Sequence, residues 1–109
     1  MSLLGALVFA LEADGFSVAP YGRAGPLLSA PVQADCMVVD MRLPDMDGLT
    51  VIARLRERGI RAPTILTITN PDSRTRLSAI AMGVWIVEKP LITGELLGRI
   101  NELIAASGR

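Results

Sequence analysis

The stretch "CMVVDMRLPDMDGL", residues 36–49, decides how this chain folds and where its chemistry lies. An apolar run ends on Asp40, and a proline, two further aspartates and a glycine follow before Leu49. A run that is apolar at successive positions reads as a strand covered on both faces, as in the interior of a parallel sheet. Asp40 then stands at the carboxyl end of a strand, where open parallel sheets place ligand chemistry.

The flanking sequence supplies the layers such a strand needs. Residues 3–14 set Leu3, Leu4, Leu7, Val8 and Leu11 at helical spacing, with Gly15 as a stop. "FSVAPY", residues 16–21, reads as a short strand. Gly22, Gly25, Pro26 and Pro31 allow only a short or broken helix over residues 22–34. Residues 48–58 read as a helix with Leu49, Ile52, Ala53 and Leu55 inward and Asp47 as its N-cap. "TILTIT", residues 64–69, is a β-branched strand introduced by Pro63. A helix follows, with a cap at Asn70, Pro71 at its first position and Gly83 at its end. "VWIVEK", residues 84–89, is the last strand. Thr93 is expected to cap a final helix that carries Leu96, Leu97, Ile100, Leu103 and Ile104 along one stripe. This alternation predicts an α/β fold, a doubly wound parallel sheet sandwiched by helices.

At 109 residues, half of them hydrophobic, the chain suits one domain with a sizeable core. The formal net charge is zero, so bulk charge favours neither nucleic acid nor an anionic membrane. There is no histidine, which removes imidazole from metal binding and acid–base work. The lone cysteine, Cys36, sits in an apolar run and reads as a packed side chain in a protein of the reducing cytoplasm. "LLGALVFAL", residues 3–11, has no basic residue before it and no small-residue cleavage site after it, and it is too short to span a bilayer. Arg54, Arg56, Arg58 and Arg61, with Glu57 among them, read as a solvated face.

Asp40 and Lys89 both occupy strand ends. A carboxylate can attack phosphorus to form an acyl phosphate. Phosphoryl transfer then needs positioning, a neighbouring cation and hydrogen-bond donors. Lys89 is such a cation, and Thr67 and Thr69 offer hydroxyls on the neighbouring strand. Residue types alone leave a plain Asp–Lys ion pair equally open.

The motifs "VVDMRLPDMDGL" and "VEKP" resemble the receiver domain of two-component response regulators, and "FALEADGFSV" is similar to the end of its first helix and its second strand. "ITNPDSRTRLSAIAMGVWIVEKPL" is similar to single-domain receivers of the FixJ type, and the likeness runs from about Leu3 to the C-terminus. The resemblance implies a flavodoxin-like receiver fold in which Asp40 accepts a phosphoryl group from a histidine kinase or phosphotransferase. It implies that Arg42 offers its backbone carbonyl to Mg²⁺ beside Asp40. It implies that Lys89 pairs with Asp40 and then with the phosphoryl oxygens, and that Lys89 and Pro90 share a cis peptide. Pro44 and Gly48 would shape the loop, with Asp45 and Asp47 as surface and cap residues. Such a domain is no enzyme beyond self-phosphorylation and dephosphorylation at Asp40.

Three departures qualify this. Receivers begin with an apolar strand ending in an acidic pair that holds Mg²⁺, whereas residues 3–14 are used by a helix, and Glu12 and Asp14 lie at its far end. The chain therefore reads as one receiver over residues 1–109, truncated at its N-terminus, without its first strand and without an output domain. Mg²⁺ binding is expected to be weak or absent, since Asp40 and the Arg42 carbonyl are few ligands. Second, alignment from Pro63 puts Ile68 in the usual hydroxyl slot, with Thr67 and Thr69 on either side; Thr69, at the strand's carboxyl end, is the favoured hydroxyl. Third, "GVWIVEKP" is one residue short, so Trp85 and Ile86 compete for the aromatic switch position.

In the family's strand order 2-1-3-4-5 the first strand lies second from the edge. Without it, residues 16–21 and 36–40 must pair directly, or another chain must fill the gap. Self-association is expected, and the final strand with the last two helices is the expected face. Two alternatives to a phosphoaccepting receiver remain: a pseudo-receiver that binds proteins without phosphate, and a small α/β enzyme or ligand-binding protein.

Overall fold

The computed structural model describes residues 3–90 and 93–106, the side chains of Leu3, Leu4 and Thr93 excepted. Its elements run α1 (Leu3–Ala13), α2 (Ala24–Ser29), β1 (Met37–Asp40), α3 (Gly48–Glu57), β2 (Thr64–Ile68), α4 (Ser73–Ala81), β3 (Trp85–Glu88) and α5 (Thr93–Ala106). The strands form a parallel three-stranded sheet in the order β1-β2-β3. Val38 lies opposite Ile65, which lies opposite Trp85; Asp40 lies opposite Thr67, which lies opposite Val87.

Side-chain alternation divides the core into two layers. Ile65 and Val87 pack with Leu11 of α1 and Leu96 and Ile100 of α5. On the other face Met37, Val39 and Leu66 pack with Val51, Ile52 and Leu55 of α3, and Ala24 and Ala79 extend that cluster from α2 and α4. All five residues of β2 are buried, as befits the one strand paired on both sides.

Local chemistry sets the helix boundaries. Asp47 caps α3 as expected: its carboxylate accepts from the Thr50 N–H at 2.9 Å and the Thr50 hydroxyl at 2.8 Å. Gly15 and Gly59 end α1 and α3 in left-handed conformations, at φ 94° and 86°. The cap of α4 is Asp72, which accepts from the Thr75 N–H at 2.8 Å, and not the expected Asn70. Asn70 itself adopts φ 47°, outside the extended backbone an N-cap needs, so the helix starts later. The cap expected at Thr93 rests on a side chain outside the described residues.

The largest difference from expectation lies at residues 16–21. They form no strand, and no backbone hydrogen bond joins them to β1 among the described residues. The direct pairing with residues 36–40 therefore does not form. Phe16 and Val18 do turn toward the layer under α1 and α5 while Ser17 and Ala19 face out, so the alternation that suggested a strand is real. It lacks a partner ladder, and between it and β1 runs an open groove.

Candidate functional site

The carboxyl end of the sheet is pinned by backbone hydrogen bonds just past each strand. The Met41 N–H donates to the Thr67 carbonyl and the Lys89 N–H to the Ile68 carbonyl, both at 2.9 Å. These bonds fix the directions of Asp40 and Lys89, and their side chains meet: Lys89 Nζ donates to Asp40 Oδ2 at 2.6 Å. The Lys89 and Asp40 side chains are 25% and 33% exposed, so the pair is shielded yet reachable. Asp40 Oδ1 accepts from the Arg42 N–H at 3.1 Å. The Lys89–Pro90 peptide is cis, as the resemblance implied.

The loop after Asp40 is folded back on itself. The Gly48 N–H donates to the Met41 carbonyl at 2.8 Å, and Arg42 and Asp47 form an antiparallel bridge. A Cβ on Gly48 would collide with the Asp40 carbonyl and stand 2.9 Å from Leu66 Cδ1, so this position accepts only glycine without a shift. Asp45 does more than lie on the surface. Its carboxylate accepts from the Ala24 N–H at 2.9 Å and the Gly25 N–H at 2.8 Å, capping α2 from a distant loop. Those amides, Ala24 first, hold the Asp45 carboxyl below its ordinary value of 3.8, and the Thr50 N–H does the same for Asp47.

The two candidate hydroxyls part company. Thr67 is directly opposite Asp40, 3% exposed, and lines the same groove as Asp40 and Lys89. Thr69 is exposed and lines a separate cavity of about 310 Å³ with Arg42, Asp47 and Asn70. Ile68 is buried on the opposite face from Thr67. Trp85 is 48% exposed with the Arg99 guanidinium 4.6 Å above its ring, while Ile86 packs against the core. Burial pushes the Cys36 thiol up to about 11, which keeps it protonated at neutral pH.

The carboxylates around Asp40 are engaged in other contacts. Asp40 is ion-paired, Asp45 and Asp47 hold helix N-termini, and no three His, Cys, Asp or Glu side chains converge among the described residues. One carboxylate and the Arg42 carbonyl would leave a cation to water for most of its shell. The solvated reading of the arginines needs amending for two of them. Arg58 donates to the Leu28 and Ala30 carbonyls, both at 2.7 Å, and Arg56 to the Met82 carbonyl. Nothing in the spacing of these arginines or of Asp45 signalled such contacts, since their partners lie 20 or more residues away.

Comparison with known proteins identifies the family of the fold. The family described as the response regulator receiver domain matches residues 3–101. The transcriptional regulatory protein FixJ of Azorhizobium caulinodans is 28% identical over 93% of this chain and 49% of its own length. The transcriptional regulatory protein TrcR of Mycobacterium tuberculosis is 28% identical over 84% of this chain and 33% of its own. The chain thus spans half or less of these relatives. The receiver domain of Francisella response regulator 1452 superposes with a TM-score of 0.88 at 20% identity, over 96% of this chain and 89% of that one. No described helix is long and apolar enough to cross a membrane. With an aspartate and a lysine joined at the carboxyl end of a parallel sheet, and with a three-stranded sheet in place of the family's five, the chain belongs to the response regulator receiver domain family and to two-component signalling.

Proposed function

We propose that Asp40 accepts a phosphoryl group from a phosphohistidine of a histidine kinase or phosphotransferase protein. An Asp40 carboxylate oxygen attacks phosphorus, the P–N bond breaks, and the imidazole leaves with the electron pair and takes up a proton. The product is an acyl phosphate on Asp40. Lys89 moves from the carboxylate to the new phosphoryl oxygens, and a hydroxyl from Thr67 or Thr69 supplies a further donor. The observation that carries this reading is the 2.6 Å contact of Lys89 Nζ with Asp40 Oδ2, which puts a cation where phosphoryl charge would arrive. The burial of Thr67 opposite Asp40 supports Thr67 over Thr69.

Intact-mass measurement after acetyl phosphate treatment tests the proposal. A gain of one phosphoryl group, lost in Asp40→Asn and reduced more by Thr67→Val than by Thr69→Val, is the expected result. No gain under saturating acetyl phosphate contradicts it and favours the second reading, a pseudo-receiver that binds proteins without phosphate. The sparse Mg²⁺ donor set favours that second reading.

As a receiver, the protein would act in the cytoplasm through protein partners rather than nucleic acid or membrane. Homodimerisation is proposed through α4, β3 and α5, where Leu77, Ile80 and Trp85 are 67%, 72% and 48% exposed.

A further inference from the structure

Helix α2 carries no cap of its own. Arg23 precedes it and makes no side-chain cap hydrogen bond. Pro26, at its third position, has no N–H to offer, which leaves Ala24 and Gly25 as the donors of its first three positions. Both go to one carboxylate: Asp45 Oδ1 accepts from the Ala24 N–H at 2.9 Å and Oδ2 from the Gly25 N–H at 2.8 Å. At the other end the Arg58 guanidinium donates to the Leu28 and Ala30 carbonyls, both at 2.7 Å. A six-residue helix is too short to persist on its own hydrogen bonds, so α2 depends on these two grips and on the packing of the buried Ala24.

The carboxylate that grips the start of α2 stands at the tip of the loop that aims Asp40. Asp40 Oδ1 accepts from the Arg42 N–H at 3.1 Å, a bond to the residue two places on, so its geometry follows the loop backbone. The base of the loop is closed by the Gly48 N–H on the Met41 carbonyl and by the Arg42–Asp47 bridge. Beyond these closures lie residues 43–46. Leu43 and Met46 pack against the core, but apolar contact is non-directional. The directional bonds from the Asp45 side chain run out of the loop to α2.

We propose that Asp45 is a positioning residue for Asp40: by gripping the α2 amides it fixes the loop whose Arg42 N–H orients the Asp40 carboxylate. The contacts run from the Ala24 and Gly25 N–H groups through the Asp45 carboxylate and the loop backbone to the Arg42 N–H and Asp40 Oδ1. Coupling of this kind is reciprocal. What frees Asp45 from α2 loosens the Asp40 carboxylate, and what frees Arg42 from Asp40 loosens the start of α2. Lys89 holds the other oxygen, Oδ2, so loss of Asp45 changes the aim of the carboxylate and leaves its ion pair in place. Attack on phosphorus depends on that aim. The effect on rate rests on Asp40 being the phosphoacceptor; the coupling itself does not.

The test measures amide exchange in the whole protein, each rate taken relative to Leu66 in β2, together with mass gain from acetyl phosphate. Asp45→Ala is expected to speed exchange at Arg42 and Gly48, and at Ala24 and Gly25, about threefold or more. Asp45→Asn, which keeps one acceptor oxygen, restores part of the protection at Ala24 and Arg42 together. Arg58→Met frees the far end of α2 and speeds exchange at Ala30, but leaves Arg42 as it was. Asp40→Ala speeds exchange at Ala24 and Gly25 in return. Mass gain in Asp45→Ala is about fivefold slower, with Asp40 still the acceptor. If Asp45→Ala speeds Ala24 and Gly25 while Arg42 and Gly48 keep their protection, Asp45 is a cap for α2 alone and the proposal is overturned. Equal acceleration at Arg42 in Arg58→Met overturns it as well, as does unchanged exchange at Ala24 in Asp40→Ala. If the unaltered protein gains no phosphoryl group, the phosphoacceptor reading fails and the exchange rates still decide the coupling.

Discussion

Residues 16–21 and residues 37–40 carry comparable apolar character, yet only the second becomes a strand. Met37–Asp40 has β2 beside it, a helix layer on one face and α1 with α5 near the other. Residues 16–21 have the α1–α5 layer on one side and a groove on the other. Side-chain alternation is a local property, whereas a ladder is made jointly with a neighbour. A stretch patterned for a sheet stays unpaired when its neighbour's place is open. The candidate site inherits this asymmetry: Asp40 and Lys89 both stand on the paired half, and no strand flanks Asp40 on its other side among the described residues.

The comparison can be broken most forcefully by cavity formation. Leu66→Ala, in the fully buried strand β2, is expected to destabilise by about 3 kcal/mol, and Val18→Ala in the unpaired stretch by under about 1 kcal/mol. Urea denaturation of both variants reads this, and similar losses would show that the two halves are equally packed. Overpacking gives the next largest contrast. Gly48→Ala, forced against the Asp40 carbonyl, should cost about 2 kcal/mol and displace Asp40, whereas Gly22→Ala, with open space around it, should shift stability by no more than about 0.5 kcal/mol.

Acid sharpens the contrast further. Asp45, Asp47 and Asp72 have carboxyls held below 3.8 in the folded protein, chiefly by backbone N–H groups. Their contribution is complete above that unfolded value and is lost as pH falls through the lower folded values. Helix α2, whose first two N–H groups are held by Asp45, should therefore lose amide protection at Ala24 and Gly25 on acidification before β2 loses any. Loss of both together, in exchange measured against pH, would mean that α2 is not separately anchored. The smallest effect concerns metal. Mg²⁺ titration followed by Trp85 fluorescence is expected to show no saturation in the low millimolar range, and saturation there would reveal ligands beyond Asp40 and the Arg42 carbonyl.

Much of this architecture was legible because its signals are local or closely spaced. The run into Asp40, the Asp47 cap and the α5 stripe each declare their element within a few residues. The Asp40–Lys89 pairing was legible through the resemblance of two short motifs, and the cis Lys89–Pro90 peptide followed from the same source. What stayed hidden depends on distant partners. Asp45 reaches α2 across 20 residues of sequence, and Arg58 reaches Leu28 and Ala30 across nearly 30. The shift of the α4 cap from Asn70 to Asp72 turns on a single left-handed residue that composition does not announce. The fate of residues 16–21 depended on whether anything stood beside them.

Amide exchange along β1 tests the open edge most directly. In the protein alone, Val39 and Met41, whose N–H groups face β2, should exchange slowly, and Val38 and Asp40 should exchange about tenfold faster or more. Equal protection along all of Met37–Met41, independent of protein concentration, would mean that the edge is already covered and would contradict the account.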